Sequence, residues 1–398
     1  MSGNRESSYS FLFSTELALL IAIVVVVAGT ALIDSNHSYY NKPDVSVRDI
    51  ARNLALLGMF ALGAAVVIIA GGIDLSAGSV IAFSGVVCAG VLLLLAPDKG
   101  PAPPWAVGVA ITAAIASGVA IGTLHTWLIT AIRLPPFIAT LATLVGLRSF
   151  ARALCEYITL EAQGNRSSQI YVSHPALSYL RQNVWVSVVV FIVLSLFTWI
   201  ILRWTVLGRH IYALGGNEQA ARLSGIRTEN VKWVAYCFSA VTASIAAVFY
   251  IANESVAAPV NQARGHELNA IAAAVVGGCS LQGGVGTVSG TILGALFLRI
   301  VIDAVAKIIK TGADVYEGLI VGCVVVLAVT LTQARQLMAG GRQLFGGARG
   351  LCAIPTIAIA AGLVAMVTLG LWVGVGIAAF VVVALAGIKI GEMQKSRS

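Results

Sequence analysis

The chain has 398 residues, of which 58% are hydrophobic and only 11% are charged. Soluble proteins carry about 25% charged residues, so the composition excludes a water-soluble globular protein and, with it, a cytosolic enzyme. The net charge of +8 is, in a membrane protein, first a signal of orientation, and we expect no nucleic-acid partner. Long apolar runs recur along nearly the whole chain and predict an all-α polytopic membrane protein.

The apolar runs predict about ten core transmembrane helices. The first run, 12–33, lacks a basic leader and a clear cleavage site, so we expect a retained helix. The other runs lie at roughly 52–70, 76–96, 105–132, 136–154, 184–204, 231–252, 266–282, 286–306 and 315–332. The run 136–154 carries two arginines in its second half and is either a full span or only partly inserted.

A last block, 351–388, contains no charged residue over its 38 positions. It is too long for one span and long enough for two short ones, which predicts a C-terminal hydrophobic hairpin. The predicted organisation is therefore an N-terminal helix with a polar linker (1–50), a core (51–332), and a basic loop with an accessory hairpin (333–398).

The charges of the loops test an orientation with the N-terminus in the cytoplasm. Alternating the spans from there gives 13 positive charges on the cytoplasmic side and 11 on the other, which is a weak bias. The clearer signal is that two strongly basic loops, 203–232 and 333–350, fall on the same side. We expect both loops to be cytoplasmic.

The cytoplasmic loop of about 203–231 contains a predicted short helix. Glu218, Ala220 and Ala221 belong to a run of helix-forming residues, Asn217 precedes it as an N-cap and Gly225 follows it as a stop. The loop alone is equally compatible with an ordinary surface helix between two spans.

Two glycine-rich segments interrupt the apolar pattern at an offset of 206 residues. The segment 71–78 aligns with 277–284, and the helix-break glycines are Gly71, Gly72, Gly277 and Gly278. Matching interruptions in two halves are typical of transporters that arose by duplication, although glycine-rich turns also agree by chance. The helix count makes the repeat parallel, whereas it would be inverted if 136–154 does not span.

The first break also contains a carboxylate, Asp74, beside Ser76. A charged residue at membrane depth indicates function by default, but either residue could instead cap the next helix. The chain has no GxxxxGK[ST] loop, no HExxH and no cluster of residues with metal spacing. We therefore expect no enzyme activity, no metal site and no cofactor in this chain.

Three segments occur in an order that resembles a known family. They are GGIDLSAGS at 71–79, GRHIYALGGNEQAARLSGI at 208–226 and ELNAIAAAVVGGCSLQGGVGTVSGTILGA at 267–295. Together they resemble the permease subunits of bacterial ABC importers for monosaccharides, the ribose, xylose and galactose type. The resemblance covers roughly 50–332, and the first segment differs from the related branched-chain amino-acid permeases. The block 351–398 departs from the ten-span core, and 155–183 matches no motif.

The resemblance implies a permease in the inner membrane that moves a monosaccharide and is driven by a separate cytoplasmic ATPase, which binds the ATP and magnesium. It also implies a second permease chain and an extracytoplasmic sugar-binding protein. The short loop helix would then dock into the ATPase. The residues that carry this role are Gly215, Asn217, Glu218, Ala220, Ala221 and Gly225.

Two alternatives remain open at the level of the sequence. One is a gradient-driven secondary transporter that uses Asp74 and Asp303 as ion or proton sites. The other keeps the ABC permease but exchanges the sugar for a nucleoside or another small polar solute. Polar or aromatic residues near the breaks are candidates for the solute pathway: Asn53, Asp74, Ser76, Ser79 and Phe137.

Overall fold

The computed structural model describes residues 6–96, 100–308, 353–362 and 371–395, with a few isolated positions between 318 and 366. Two compact units, Met1–Val325 and Val326–Ser398, divide the chain. The first half of unit one contains α1 (Glu6–Ile33), α2 (Ser38–Asn41), α3 (Pro43–Ile69), α4 (Ala77–Leu94), α5 (Pro104–Thr130), α6 (Pro136–Gln163), β1 (Ile170–Tyr171) and α7 (Pro175–Gln182). The rest contains α8 (Val184–Trp204), α9 (Val206–Gly216), α10 (Glu218–Leu223), α11 (Thr228–Glu254), β2 (Val256–Ala257), α12 (His266–Val276) and α13 (Val288–Ile308).

Eight helices within the described residues are long and apolar enough to cross a membrane: α1, α3, α4, α5, α6, α8, α11 and α13. This confirms the predicted all-α polytopic membrane protein. Helices satisfy their own backbone hydrogen bonds, which lipid cannot do for them. Most of the apolar runs of the sequence therefore form helices in the structure.

The doubtful run 136–154 belongs to α6, which has 28 residues and continues past both arginines. The guanidinium of Arg148 donates to the carbonyls of Pro259 and Gln262, at 3.0 and 2.9 Å. Arg152 pairs with Glu156 one turn later, at 2.9 Å. Because both cations have partners, neither ends the helix, and α6 is long enough to span.

The prediction of one span over 266–282 is wrong. The helix there, α12, has only 11 residues and ends at Val276, which is about 16 Å and too short to cross a bilayer alone. Its end is set by Gly277 and Gly278, which begin the second glycine-rich segment. The expected basic loop 333–350 and most of the expected span 315–332 lie outside the described residues.

The centre of the first unit consists of α3 and α11, which bury residues on every side. Neighbouring helices approach them at glycines. A Cβ on Gly63 of α3 would lie 2.7 Å from the Cα of Ser239, and one on Gly122 of α5 would lie 2.5 Å from the Cα of Cys237. Such backbone contacts give close packing where lipid provides no hydrophobic force between helices.

The segment 155–183 forms a small cap at one end of the bundle. It contains the end of α6, the short strand β1 and helix α7. Strand β1 pairs antiparallel with β2, with Ile170 opposite Ala257 and Tyr171 opposite Val256. The cap thus joins the two halves of the first unit at the end opposite the glycine-rich breaks.

The second unit contains α14 (Ala353–Gly362) and α15 (Leu371–Lys395). The two helices contact each other closely, since a Cβ on Gly374 would lie 2.6 Å from the carbonyl oxygen of Gly362. Both apolar helices of the predicted hairpin are thus present. The proposed domain boundaries at 50 and 332 stay a prediction.

Candidate functional site

The loop between α8 and α11 folds into two consecutive short helices. The side chain of Thr205 caps α9 by accepting from the amide of Gly208, at 3.1 Å. Asn217 ends α9 and caps α10 by accepting from the amide of Ala220, at 3.0 Å. Gly225 follows α10 with φ of 84°, the left-handed conformation that stops a helix. The predicted helix, cap and stop are confirmed, whereas α9 was not predicted.

Replacing Asn217 with alanine should loosen the start of α10. The change removes a helix cap, which costs about 1 kcal/mol and should speed amide exchange at Ala220 about fivefold. Hydrogen exchange of the Ala220–Ser224 amides measures this effect. Asn217→Ser keeps an acceptor oxygen and serves as the control; equal exchange in the alanine variant and the native chain would show that the cap is dispensable.

An ion pair ties α10 to the span that follows it. Lys232 of α11 donates to both carboxylate oxygens of Glu218, at 2.7 and 2.9 Å. Arg222 reaches the same carboxylate more loosely, at 3.4 Å. Ala221 turns inward, whereas Ala220 is exposed and Leu223 is 90% exposed. The helix therefore holds one face against the bundle and presents a partly apolar face outward.

Both glycine-rich breaks begin with the same helix ending. Gly71 has φ of 82°, and the amides of Gly71 and Gly72 donate to the carbonyls of Ile68 and Val67. At the end of α12, Gly278 has φ of 95° and donates to Val275, while Cys279 donates to Ala274. Each is a Schellman ending, which requires a left-handed residue that glycine supplies. The structural equivalent of Gly71 is therefore Gly278, one position later than the sequence alignment places it.

The two breaks meet each other and the loop at one point, which we call the glycine junction: Ile69–Gly72, Gly215 and Gly283–Gly284. The amide of Gly284 donates to the carbonyl of Ile69, at 2.9 Å. A Cβ on Gly71 would lie 3.3 Å from the Cα of Gly215, and one on Gly283 would lie 2.8 Å from the Cα of Gly71. The two breaks therefore lie side by side against the end of α9.

Tyr212 of α9 adds a side-chain contact to the junction. Its hydroxyl donates to the carbonyl oxygen of Gly286, at 2.7 Å. Burial, followed by the proximity of Cys279, raises the pKa of Tyr212 to about 12. The hydroxyl therefore keeps its proton at physiological pH and remains a donor, so α9 is bonded to the segment that leads into α13.

After Gly72 the chain runs without helical structure to Ser76, and α4 then begins at Ala77. Asp74 is 2% exposed, and its carboxylate accepts from the amide and hydroxyl of Ser76 and from the hydroxyl of Ser239. The hydroxyl of Ser79 donates to the carbonyl of Ser76, at 2.8 Å. The carboxylate thus shapes the turn that leads into α4.

The five candidate pathway residues do not lie together. Asp74, Ser76 and Ser79 are buried around the first break, Asn53 is half-buried on α3, and Phe137 is 49% exposed at the start of α6. Asn53 precedes Ile69 by 16 positions of one helix, or about 24 Å. Asn53 and Phe137 are therefore near opposite ends of the bundle.

A cavity of about 530 Å³ lies beside the glycine junction. Its wall combines the end of α3, the turn between α5 and α6, the end of α9 and the start of α11. The polar side chains that line it are Arg133, Asn217, Glu218, Lys232, Tyr236 and Gln282. The cavity thus opens where the loop helices and the first break meet.

Three residues of α11 belong to this site but were not predicted from the sequence. Lys232 binds Glu218, Tyr236 lies against Gly72, and Ser239 binds Asp74. They share one helical face at positions i, i+4 and i+7. This helical spacing of polar residues, directly after the loop, is the sequence pattern from which they could have been predicted.

Comparison with protein families identifies the core of the chain. The family described as "Branched-chain amino acid transport system / permease component" matches residues 46–329. The matched range begins within α3 and includes the loop helices, both breaks and all of α13. It therefore covers every part of the glycine junction.

Curated relatives align over most of the chain. It is 32% identical to the ribose import permease protein of Escherichia coli (strain K12) over 340 residues, which cover 84% of this chain and 98% of that protein. It is 30% identical to the fructose import permease protein of Bifidobacterium longum, covering 83% of this chain and 93% of that protein. It is also 30% identical to the autoinducer 2 import system permease protein of Photorhabdus luminescens, covering 71% and 80%.

Proposed function

The chain belongs to the branched-chain amino acid transport system permease family, and from this premise we propose that it is the membrane-spanning subunit of an ABC importer for a monosaccharide. It is a multi-pass protein of the cell inner (plasma) membrane. The observation that supports the proposal best is the glycine junction, where the loop helices meet both breaks of the membrane core.

The loop residues that dock a cytoplasmic ATPase are, in this proposal, Gly215, Asn217, Glu218, Ala220, Ala221 and Gly225. The exposed Leu223 adds an apolar anchor on the outward face of α10, since a leucine that is 90% exposed on a helix suits a partner's pocket. The cap at Asn217 and the ion pair of Glu218 with Lys232 hold α10 in one orientation. A rigid, tethered helix is what a docking element requires.

The ATPase supplies the energy. In this proposal ATP and magnesium bind to that partner, because the sequence of this chain contains no GxxxxGK[ST] loop. When the nucleotide closes the ATPase, the docked helices move as a body, as in other hinge and shear transitions. Because the end of α9 touches Ile69 and Gly284 directly, the movement acts on both breaks at once.

A second permease chain and an extracytoplasmic sugar-binding protein complete the importer. The relatives named for ribose and fructose support a monosaccharide as the cargo. We propose that the solute passes Asn53 and leaves near Phe137. The 530 Å³ cavity at the same end of the bundle as the loop helices is then an exit chamber; small-molecule sites occupy about 300–1,000 Å³.

The surroundings of the two intramembrane carboxylates do not favour a gradient-driven secondary transporter. Asp303 accepts from the hydroxyl of Tyr39 at 2.7 Å and pairs with Lys307 at 2.6 Å. Asp74 is held by Ser76 and Ser239. Both carboxylates thus have fixed protein partners, whereas a coupling site must exchange its ion during each cycle.

The proposal is tested in proteoliposomes. We expect no accumulation of labelled ribose, xylose, galactose or fructose by this chain alone under an imposed proton or sodium gradient. Adding the ATPase and binding protein that co-purify with it, together with magnesium and ATP, should produce uptake of at least one of these sugars.

Labelled adenosine is included in the same assay to separate the cargo classes. ATP-dependent uptake of adenosine without any sugar would keep the ABC permease and replace the cargo. Accumulation driven by an ion gradient, with the permease as the only protein, would overturn the proposed function.

A further inference from the structure

The break between α3 and α4 is contacted by the helices on either side of α10, namely α9 and α11. Gly71 lies against Gly215 at the end of α9. The next residue, Gly72, lies against the ring of Tyr236, whose Cζ would be 3.2 Å from an added Cβ. Asp74 then accepts from the hydroxyl of Ser239, at 2.7 Å. The break is therefore held between α9 on one side and α11 on the other.

The contacts from α11 form a continuous stripe. Lys232, Tyr236 and Ser239 lie on one face of the helix, and they span about 10 Å along its axis. Lys232 is bonded to Glu218 of α10, and Ser239 is bonded to the break. The stripe thus connects the docking helix to a segment deep inside the bundle through one rigid element.

The bond between Ser239 and Asp74 is the long-range one at this carboxylate. Its other described partners, the amide and hydroxyl of Ser76, belong to the same turn. Ser239 is fully buried and Asp74 is 2% exposed, so the bond is shielded from bulk solvent. Burying a carboxylate at membrane depth is costly, so Asp74 is a candidate functional residue.

We propose that Ser239 is a positioning residue that transmits motion from the loop helices to α4. This inference rests on the proposed ABC permease function. The hydroxyl of Ser239 fixes Asp74, Asp74 fixes the turn at Ser76, and α4 begins at the next residue. A displacement of α10 and α11 by the ATPase is thereby passed to α4 as well as to the end of α3.

The test is the number of solute molecules imported per ATP hydrolysed by the complete importer in proteoliposomes. Ser239→Ala should leave assembly with the ATPase intact and lower this ratio by about tenfold, the effect of one hydrogen bond to a charged group. The matched control is Ser244→Ala, on the same helix and equally buried, whose hydroxyl binds Ser84 and the carbonyl of Ala240 but not the break. Its ratio should stay at the native value.

Two results would overturn the inference: a native ratio in Ser239→Ala, or an equal fall in both serine variants. Asp74→Asn changes the other partner of the same hydrogen bond, and it replaces Ser239→Ala as the test if that variant does not assemble with the ATPase. The number of solute molecules imported per ATP should also fall in Asp74→Asn. A native importer that shows no ATP-driven uptake would instead refute the proposed function, so the two failures are distinguishable.

Discussion

Replacing Gly215 with alanine should nearly abolish ATP-driven uptake. The added Cβ would overlap the carbonyl oxygen of Ile69 and lie 2.5 Å from the amide nitrogen of Gly284. Both are backbone atoms, so neither can rotate away as a side chain would. Overpacking of this kind costs about 1–3 kcal/mol or more, and we expect uptake to fall by about tenfold or more.

The neighbouring glycine provides a matched control. An added Cβ on Gly216 would meet nothing within 4 Å, although Gly216 belongs to the same helix end. Gly216→Ala should therefore transport normally. Uptake of labelled sugar by the reconstituted importer measures both variants, and co-purification with the ATPase shows whether docking survives. Native uptake by Gly215→Ala would mean that the glycine junction plays no part in coupling.

Replacing Gly122 with alanine should destabilise the membrane core. In α5 this glycine lies against the backbone of α11, and a Cβ would come within 2.5 Å of the Cα of Cys237 and 2.8 Å of its nitrogen. The two helices would have to separate along their contact. We expect the free energy of unfolding to fall by about 1–3 kcal/mol, as measured by unfolding in mixed micelles with increasing SDS.

Gly108 of the same helix separates packing from helix propensity. An added Cβ there would meet nothing within 4 Å, and alanine favours a helix over glycine by about 1 kcal/mol. Gly108→Ala should thus be neutral or stabilising. Equal stability of the Gly122 and Gly108 variants would contradict the close contact between α5 and α11.

The two sets of glycines have separate tasks. Gly122 holds helices together within the bundle, and its replacement should lower stability before it changes transport. Gly215 lies where the loop helices, α3 and the second break meet, so its replacement should lower transport by more than the same loss of stability does at Gly122. Measuring both properties for both variants distinguishes a packing position from a coupling position.

Features that depend on neighbouring residues could be predicted from the sequence. The apolar runs indicated the spans because lipid leaves a chain few alternatives to the helix. The short helix in the loop was predictable because Asn217 caps an amide only three residues away. The paired breaks were visible because glycine is needed where a helix ends in a left-handed residue.

Other features were predicted wrongly because the hydropathy pattern does not show where a helix ends. The run 266–282 is largely apolar, yet α12 stops at Val276. The sequence alignment paired Gly71 with Gly277, whereas the left-handed residue of the second ending is Gly278. Hydropathy does not distinguish a glycine inside a continuous helix from a glycine at which the helix ends.

The sequence by itself determined the membrane class, the helical spans, the capped loop helix and the existence of two breaks, since each follows from local hydropathy or local hydrogen bonding. Only the tertiary structure decided that the breaks touch each other, that Gly215 lies between them, and that Ser239 reaches Asp74 from 165 positions away. A serine or glycine in an apolar helix has no local signal for its partner, because that partner is chosen by how the helices pack.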